Sequence, residues 1–351
     1  MVIYSEVIDK FLDDVNNNNI SKILNNKFKE KTFKYSTKSE IESWDASLEY
    51  MSNILSKSNL SKNCTVTLEY KLPMTSKRVD FILSGYNEYY KEVLLLFELK
   101  QWSEVENVEC SDVLLKTFIG GSIKEVLHPA YQVLSYQELL EDYNEYIQSN
   151  NVILKSSVIM HNYTQRNNDP IVEGKFKHIL DETSIFMKDD EEKLIKYLNT
   201  NLKFGDDKKI IDLIEKSNIS PSKKLQNNIR ELINGNNTFT LIDEQKMVYD
   251  KILSLINDDN KKVIIVEGGP GSGKSVLAIN LLATVTSKGK LCQYVSRNTA
   301  PRVVYSYQLK GTMNKNSIDN LFKSSGSYTD INENIFDLLI VDEAHCLTEK
   351  S

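Results

Sequence analysis

The sequence has few cysteines, and none of them is spaced as a pair. The four cysteines, Cys64, Cys110, Cys292 and Cys346, lie far apart and form no C-x-x-C motif, so a disulfide framework and a zinc site are both disfavoured. Long apolar runs are also missing, since no stretch reaches the ~20 residues that a membrane span needs. The first residues carry acids where a signal peptide has an apolar core. We therefore expect reduced thiols, a cytoplasmic location and no membrane partner.

An excess of basic residues is missing too. The 43 Lys and Arg residues are outnumbered by 49 Asp and Glu residues, which gives a net charge of −6. A protein with this balance has to gather its basic side chains locally in order to bind nucleic acid. Hydrophobic residues make up 40% of the chain and charged residues 26%, as in soluble globular proteins. With 351 residues, the chain is long enough for two or three domains.

The spacing of apolar residues divides the chain into four segments. Residues 1–35 predict short amphipathic helices, and 36–200 predict an α/β unit of a helix, three strands, a helix and a strand. Polar residues 201–237 predict a helical linker. Residues 238–351 predict a helix, a strand, a Gly-rich loop, a helix and further parallel strands. Strands are predicted at 65–72, 78–83, 93–99, 156–160, 262–266 and 291–296, and helices at 39–56 with Ser39 as N-cap, 128–146, 243–256 and 275–287.

A phosphate-binding motif lies in the last segment. Residues 268–275 read GGPGSGKS and fit G-x-x-x-x-G-K-[ST] between an apolar run and a helical pattern. The glycines let backbone N–H groups turn toward phosphate oxygens, Lys274 reaches the β- and γ-phosphates, and the Ser275 hydroxyl is a ligand for Mg²⁺. We therefore predict an ATP site formed by Gly268, Gly269, Pro270, Gly271, Ser272, Gly273, Lys274 and Ser275.

An acidic pair follows a later apolar run, which predicts a further strand. Residues 337–341 read DLLIV and lead into Asp342 and Glu343, which places both acids at the carboxyl edge of a parallel sheet, beside the phosphates. Asp342 is expected to hold Mg²⁺, and Glu343 to polarise the attacking water.

Two further stretches resemble motifs of superfamily 1 helicases. Residues 239–245 read FTLIDEQ, and the resemblance implies that Gln245 reads adenine through its amide. A solvent-exposed glutamine at the start of a helix is the alternative for Gln245. Residues 296–302 read SRNTAPR and resemble the motif that contacts a single strand, with Asn298 and Arg302 as candidates. An ordinary charged loop residue is the alternative for Arg302.

Together, residues 239–351 resemble the first ATPase lobe of the bacterial DUF2075 family, which is related to the helicase-like part of Schlafen proteins. The resemblance implies a partial RecA-like P-loop lobe that ends after its acidic pair. Such a lobe is expected to bind nucleotide far better than it hydrolyses it.

A second candidate site lies in the α/β unit. Asp80 follows Arg78-Val79, and Glu98-Leu99-Lys100 ends the next predicted strand. Residues two apart in a strand face the same side, so Glu98 and Lys100 point together, and a hairpin would bring Asp80 beside them. Two carboxylates and an ammonium group suit Mg²⁺- or Mn²⁺-dependent phosphodiester hydrolysis, in which the acids hold metal and Lys100 stabilises developing charge.

These residues resemble the PD-(D/E)XK nuclease superfamily, whose core is a restriction-endonuclease-like αβββαβ domain. The resemblance implies that Glu40 or Glu42 supplies an additional acid on the metal side, and Glu40 is our candidate. Residues 132–136 read QVLSY and match the Q-x-x-x-Y of RecB-like nucleases, which implies that Gln132 and Tyr136 lie beside the site. We interpret His128 and His161 as structural, and Trp44 and Trp102 as packing residues.

Three hypotheses about function remain open. The first is a nuclease fused to an ATP-dependent helicase-type motor that cleaves DNA, or less readily RNA. The fusion resembles nuclease–helicase immunity proteins of bacterial antiphage defence, and a homo-oligomer is compatible with it. The second is a nucleotide-gated module that binds nucleic acid through an inactive nuclease fold. The third is a standalone NTPase regulator that binds no nucleic acid. Dependence of cleavage on Mg²⁺ or Mn²⁺ separates the first from the others.

Overall fold

A computed structural model describes most of the chain, namely residues 2–32, 36–75, 77–109, 111, 113–223, 227, 241, 243–256, 261–269, 271–299, 303–304, 307, 313–328 and 331–347. The chain divides into two compact units. The first contains residues 1–73, 77–137 and 149–217, and the second contains 74–76, 138–148 and 218–351. In the described residues, no helix is both long enough and apolar enough to cross a membrane.

The described helices follow one another along the whole chain. They are α1 (Ile8–Asn16), α2 (Ile20–Thr32), α3 (Lys38–Lys57), α4 (Pro129–Tyr143), α5 (Glu145–Asn150), α6 (Lys177–Leu180), α7 (Glu191–Asn201), α8 (Lys209–Lys216), α9 (Asp243–Ile256), α10 (Lys274–Ser287) and α11 (Lys315–Leu321). Short 3-10 turns occur at Pro170–Val172, Gly174–Phe176, Ser325–Tyr328 and Ala344–Cys346.

The strands form one sheet of six and two sheets of three. They are β1 (Tyr4–Val7), β2 (Thr65–Lys71), β3 (Arg78–Tyr86), β4 (Glu92–Leu99), β5 (Glu106–Asn107), β6 (Leu114–Ile119), β7 (Ser122–Leu127), β8 (Ile153–Met160), β9 (Ser184–Met187), β10 (Cys292–Ser296), β11 (Phe322–Lys323) and β12 (Leu338–Asp342). The sheet orders are β1-β2-β3-β4-β8-β9, β5-β6-β7 and β11-β10-β12. The protein is therefore mixed α/β, as the sequence predicts.

The six-stranded sheet is the framework of the first unit. Its first four strands run antiparallel to their neighbours, whereas β8 runs parallel to β4, and β9 runs parallel to β8. The central strands are apolar on both faces, and Phe11 of α1, Phe81 of β3 and Phe97 of β4 pack edge to face across 5.8 and 6.1 Å. The buried side of α3, which includes Leu48 and Met51, belongs to the same core.

The second unit contains a parallel sheet in which β10 lies between β11 and β12. Helix α10 is apolar over most of its length, and many of its side chains are buried. Helix α9 packs against it through residues such as Tyr249 and Ile252. The bounds of α9 coincide with the predicted helix, and those of α10 and β10 differ by one residue at the start.

The strand predicted at 262–266 is not formed. Residues 261–269 have no regular secondary structure, and Val263 and Ile265 are 92% and 78% exposed. An apolar run becomes a strand only where another strand accepts its hydrogen bonds. In the described part of the second unit, the sheet comprises β10, β11 and β12 alone.

Several short elements were not foreseen. Strand β1 pairs with β2, β9 pairs with β8, and the small antiparallel sheet β5-β6-β7 is inserted between β4 and α4. Residues 201–217, which the sequence places in the linker, belong to the first unit. Most of the remaining part of the predicted helical linker, residues 224–226 and 228–237, lies outside the described residues.

Candidate active sites

The ends of β3 and β4 bring the two predicted carboxylates together. Phe81 is paired with Phe97 across these antiparallel strands, so Asp80, one residue earlier, and Glu98, one residue later, lie at the same sheet end. The backbone N–H of Leu99 donates to Asp80 Oδ2 at 2.9 Å. Glu98 is buried, at 1% exposure, whereas Asp80 is half-buried. One acid is thus fixed in the sheet and the other borders solvent.

Lys100 and α4 complete this cluster. Lys100 Nζ donates to Glu98 Oε1 at 2.5 Å, and its backbone N–H donates to the Ile159 carbonyl of β8. Gln132 Nε2 donates to Glu98 Oε1 at 2.6 Å and to the Tyr136 hydroxyl at 2.9 Å. The structure therefore brings together five of the six residues predicted for the first site: Asp80, Glu98, Lys100, Gln132 and Tyr136.

The electrostatics of the cluster follow from burial and mutual proximity. Burial raises the pKa of Glu98, the Asp80 carboxylate raises it further, and Lys100 opposes both. Burial likewise raises the pKa of Asp80 against the effect of the Lys100 ammonium and the Leu99 N–H. Burial alone would lower the pKa of Lys100, but Glu98 and Asp80 outweigh it and raise that pKa. Lys100 therefore remains an ammonium group.

The cluster offers a carboxylate oxygen to a divalent cation, but its carboxylates alone are too few to complete the coordination of that cation. The buried Glu98 Oε2 accepts no hydrogen bond from the residues that the structure describes, and a cation beside Asp80 would satisfy this oxygen. Within the described residues, no group of three or more His, Cys, Asp and Glu side chains is arranged around one point as a metal site. Asp80 and Glu98 are thus the two protein carboxylates available, and water or phosphate oxygens would complete the coordination.

Glu40 has partners other than those expected. Its backbone N–H donates to the Thr37 hydroxyl oxygen, and its carboxylate accepts from the Thr37 backbone N–H at 2.8 Å, so it closes a capping box at the start of α3. Its other oxygen lies 3.4 Å from Arg78 Nη2. Thr37, and not Ser39, is therefore the N-cap, and Glu40 is tied to that cap and to Arg78.

The acid that lies beside Asp80 is Glu69 on β2, a residue that sequence reasoning missed. Glu69 is 7% exposed. Its Oε1 accepts from Trp44 Nε1 at 2.8 Å, and its Oε2 lies 3.1 Å from Arg78 Nη1. Burial raises the pKa of Glu69, and Asp80 raises it further, while Arg78 opposes them. The available signal was a lone acid in a strand, TVTLEYK, whose other residues are mostly apolar or β-branched.

Two histidines are structural, as expected. The buried His128 accepts the Ala130 N–H at Nδ1, 3.1 Å away, and its Nε2 lies 2.9 Å from the Ile171 carbonyl. Its role is to cap the start of α4. His161 Nε2 lies 3.2 Å from the Ser47 hydroxyl oxygen, and the His161 ring stacks on Tyr50. Trp44 is buried, as predicted.

In the second unit, the Gly-rich loop turns directly into α10. Gly271 and Gly273 adopt positive φ angles of 77° and 81°, a conformation that glycine adopts without steric cost. Lys274 begins the helix, and its Nζ donates to the carbonyls of Gly268 and Gly269 at 2.7 and 3.0 Å. Its ammonium group therefore lies on the loop where phosphate is expected. Pro270 lies outside the described residues.

Ser275 and Asp342 meet at the carboxyl end of the parallel sheet. The Ser275 hydroxyl donates to Asp342 Oδ2 at 3.3 Å, and Tyr294 of β10 donates to the same oxygen. Glu343 has a left-handed backbone, with φ of 52°, and its carboxylate lies 3.3 Å from His345 Nδ1. The two residues predicted to share Mg²⁺ thus lie in contact, and Tyr294 is an additional partner that the sequence did not identify.

Gln245 is a residue of α9, and its side chain contacts the phosphate loop. Its Nε2 donates to the Ser272 carbonyl at 2.9 Å. A Cβ atom at Gly273 would collide with this side chain, so the glycine also makes room for Gln245. Asn298 is exposed after β10. Arg302 lies outside the described residues, and its predicted contact with nucleic acid stays a prediction.

A Gly-rich loop that opens a helix, with its serine bonded to an aspartate at the end of a parallel strand, is the arrangement of a P-loop nucleotide-binding domain. Residues 261–351 match the family described as Schlafen group 3, DNA/RNA helicase domain. This part of the chain is therefore similar to a Schlafen-type helicase domain, which indicates a nucleotide-binding function related to nucleic acid. Comparisons with curated proteins and with solved structures found no match.

Proposed function

We propose that the chain is a metal-dependent nuclease joined to an ATP-binding unit of helicase type, and that it cleaves DNA in preference to RNA. The observation that carries the proposal is the cluster of Asp80, Glu98 and Lys100 at one sheet end, in which a buried oxygen of Glu98 has no hydrogen-bond partner among the described residues. Catalytic sites are where such costly buried charges persist.

The surrounding elements support this proposal. Helix α3, the antiparallel strands β2, β3 and β4, helix α4 and the parallel strand β8 follow one another in the order αβββαβ. This is the order expected for the core of a PD-(D/E)XK nuclease. The three-stranded sheet β5-β6-β7 is an insertion within that order, located between β4 and α4.

The chemistry is divided among the residues of the cluster. A divalent cation bound by Asp80 and Glu98 would supply a Lewis acid to the phosphoryl group. Lys100 carries a fixed positive charge that stabilises the negative charge developing during attack by water. Gln132 and Lys100 hold the same oxygen of Glu98, which leaves its other oxygen free for the cation.

Asp80→Asn should reduce DNA cleavage by at least about a thousandfold, because loss of one of two metal-binding carboxylates removes several kcal/mol of transition-state stabilisation. The assay incubates circular single-stranded and supercoiled DNA with Mn²⁺ or with EDTA. Asp207→Asn is the matched control, since Asp207 is exposed with a positive φ that asparagine tolerates well. Cleavage that continues in EDTA, or in Asp80→Asn, would refute the proposal. DNA binding without cleavage would favour the inactive binding module instead.

Lys100→Ala should keep metal binding and lose rate, because Lys100 acts on charge that appears only during the reaction. We expect kcat to fall by about 10²–10³, as on removal of one preorganised donor, with Mn²⁺ affinity changed less than a few fold in calorimetry. Lys203→Ala, an exposed lysine of the same unit, is the control. A loss of Mn²⁺ affinity equal to that of Asp80→Asn would assign Lys100 to metal-site assembly and not to charge stabilisation.

A further inference from the structure

Arg78 lies on the same side of β3 as Asp80, because residues two apart in a strand share a face. Its guanidinium group has three neighbours: Glu69 at 3.1 Å, Glu40 at 3.4 Å and the Phe28 ring, whose centroid is 4.8 Å away. The positive charge of Arg78 acts on residues of the cluster. Burial raises the pKa of Asp80 and that of Tyr136, and Arg78 lowers both by a smaller amount. Arg78 is therefore a cation of the candidate site, although none of the sequence motifs includes it.

The contacts of Arg78 leave part of its guanidinium group open to a ligand. The group has five N–H donors in a planar fork, and its hydrogen bond in the structure goes to Glu40. The side chain of Arg78 is 27% exposed, and that of Glu40 is 39% exposed. An incoming phosphate oxygen can replace the long contact to Glu40, because arginine binds phosphate in bidentate geometry.

Glu69 holds the other side of the guanidinium group, and its backbone is unusual for a strand residue. Its φ is 53°, a left-handed value that non-glycine residues in strands rarely adopt. Its carboxylate is buried and bound on one oxygen by Trp44. Glu69 is thus a buried acid with a strained backbone that holds Arg78 beside the candidate site. Such strain persists at functional sites, which indicates that Glu69 positions Arg78.

The charge balance also favours a phosphate ligand. Four carboxylates, those of Glu40, Glu69, Asp80 and Glu98, lie around the two cations Arg78 and Lys100. With all four ionised and one divalent cation bound, the cluster is neutral, and without Arg78 it would carry one net negative charge. Arg78 therefore removes a net negative charge that would repel a phosphate.

We propose that Arg78 binds the scissile phosphodiester group, and that Glu69 is the residue that positions Arg78 for this contact. The inference rests on the proposed nuclease function for its substrate class. Its direct test, however, is a binding measurement that needs no cleavage.

The binding test measures the affinity of the full chain for a short probe, thymidine 3′,5′-bisphosphate, by calorimetry. Each titration is made with and without Ca²⁺. Arg78→Gln should weaken probe binding by about 10- to 100-fold, as expected for loss of a charge-assisted hydrogen-bonded pair. Arg78→Lys keeps the charge but not the planar fork, so it should show a smaller loss. Arg166→Gln removes an exposed arginine that stacks on Tyr163 and should leave affinity unchanged.

Unchanged probe affinity in Arg78→Gln would overturn the proposal, provided that the variant melts within a few degrees of wild type. If that variant does not fold, Arg78→Lys decides, and an affinity equal to wild type would overturn the proposal equally. If the wild type cleaves no DNA, the nuclease function fails, but these binding results still decide whether Arg78 binds phosphate.

A kinetic test separates positioning by Glu69 from packing. In Glu69→Gln the amide oxygen still accepts from Trp44, but the charge opposite Arg78 is lost. We expect kcat with Mn²⁺ to fall about tenfold while KM stays within twofold, because affinity for long DNA is spread over many phosphate contacts. Glu49→Gln, a change at an exposed acid of α3, should have no effect. An unchanged kcat in Glu69→Gln would show that Glu69 only packs.

Discussion

The buried carboxylates of the first unit differ in how fully their oxygens are used. Asp206 accepts from the Thr65 and Ser84 hydroxyls at 2.7 and 2.8 Å, one on each oxygen, as a structural acid should. Among the described residues, Glu98 accepts from two donors on one oxygen and from none on the other. This difference cannot be read from the sequence, because Glu98 and Glu69 are both acids within largely apolar strands. The motif identified Glu98, and nothing comparable marked Glu69.

His128 gives a prediction at the scale of one residue. Burial lowers its pKa from 6.5 to about 4, and protonation would set an N–H at Nδ1 against the Ala130 N–H that it now accepts. The unfolded chain therefore binds more protons than the folded chain between pH 6.5 and 4, so stability falls as the pH is lowered through this window. The loss attributable to His128 should approach about 3 kcal/mol at pH 4.

The measurement is urea unfolding followed by tryptophan fluorescence, which reports on the first unit because the two tryptophans are Trp44 and Trp102. His128→Asn should be less stable at pH 7 but lose less stability between pH 6.5 and 4. Asparagine can still accept the Ala130 N–H, and it does not titrate. Parallel pH profiles for the two proteins would contradict the assignment of His128 as a neutral cap.

At the scale of elements, long segments with a regular apolar pattern were predictable. Short strands that depend on a partner distant in the sequence were not. Strands β2, β3, β4 and β8 each carry enough apolar residues to be identified alone. Strand β1 has four residues, two of them polar, and exists because β2 accepts it at its edge. The β6–β7 hairpin did carry a local signal, since Gly120 and Gly121 form its two-residue turn with φ of 62° and 86°.

The start of α3 shows why a cap can be misplaced by sequence alone. Two overlapping S/T-x-x-E patterns occur there, one from Thr37 to Glu40 and the other from Ser39 to Glu42. Only the first is used as a capping box. Thr37→Ala should therefore lower the free energy of unfolding of the first unit by about 1 kcal/mol. Ser39→Ala should change it by less than about 0.5 kcal/mol, and the reverse order in urea unfolding would contradict this assignment.

For the whole molecule, two candidate sites, suited to different chemistry, lie in two compact units of one chain. Both were predictable because each rests on a local motif, a Gly-rich loop in one unit and a pair of strand ends in the other. The order of the six-stranded sheet and the insertion of β5-β6-β7 depend on pairings between distant residues, which spacing does not encode. ATP and nucleic acid are thus expected to act on separate units, and a change in one unit should leave the fold of the other intact.

Lys274→Ala tests this expectation in the full chain. Among the described residues, the Lys274 ammonium donates to the carbonyls of the loop, so its removal should abolish ATP binding without unfolding either unit. Tryptophan-monitored unfolding of the first unit should match that of wild type. If ATP controls cleavage, adding ATP should change the cleavage rate of wild type and leave that of Lys274→Ala unaffected. Lys288→Ala, an exposed lysine just after α10, should behave as wild type throughout. Equal ATP affinity in Lys274→Ala and wild type would refute the P-loop assignment, whatever the outcome for cleavage.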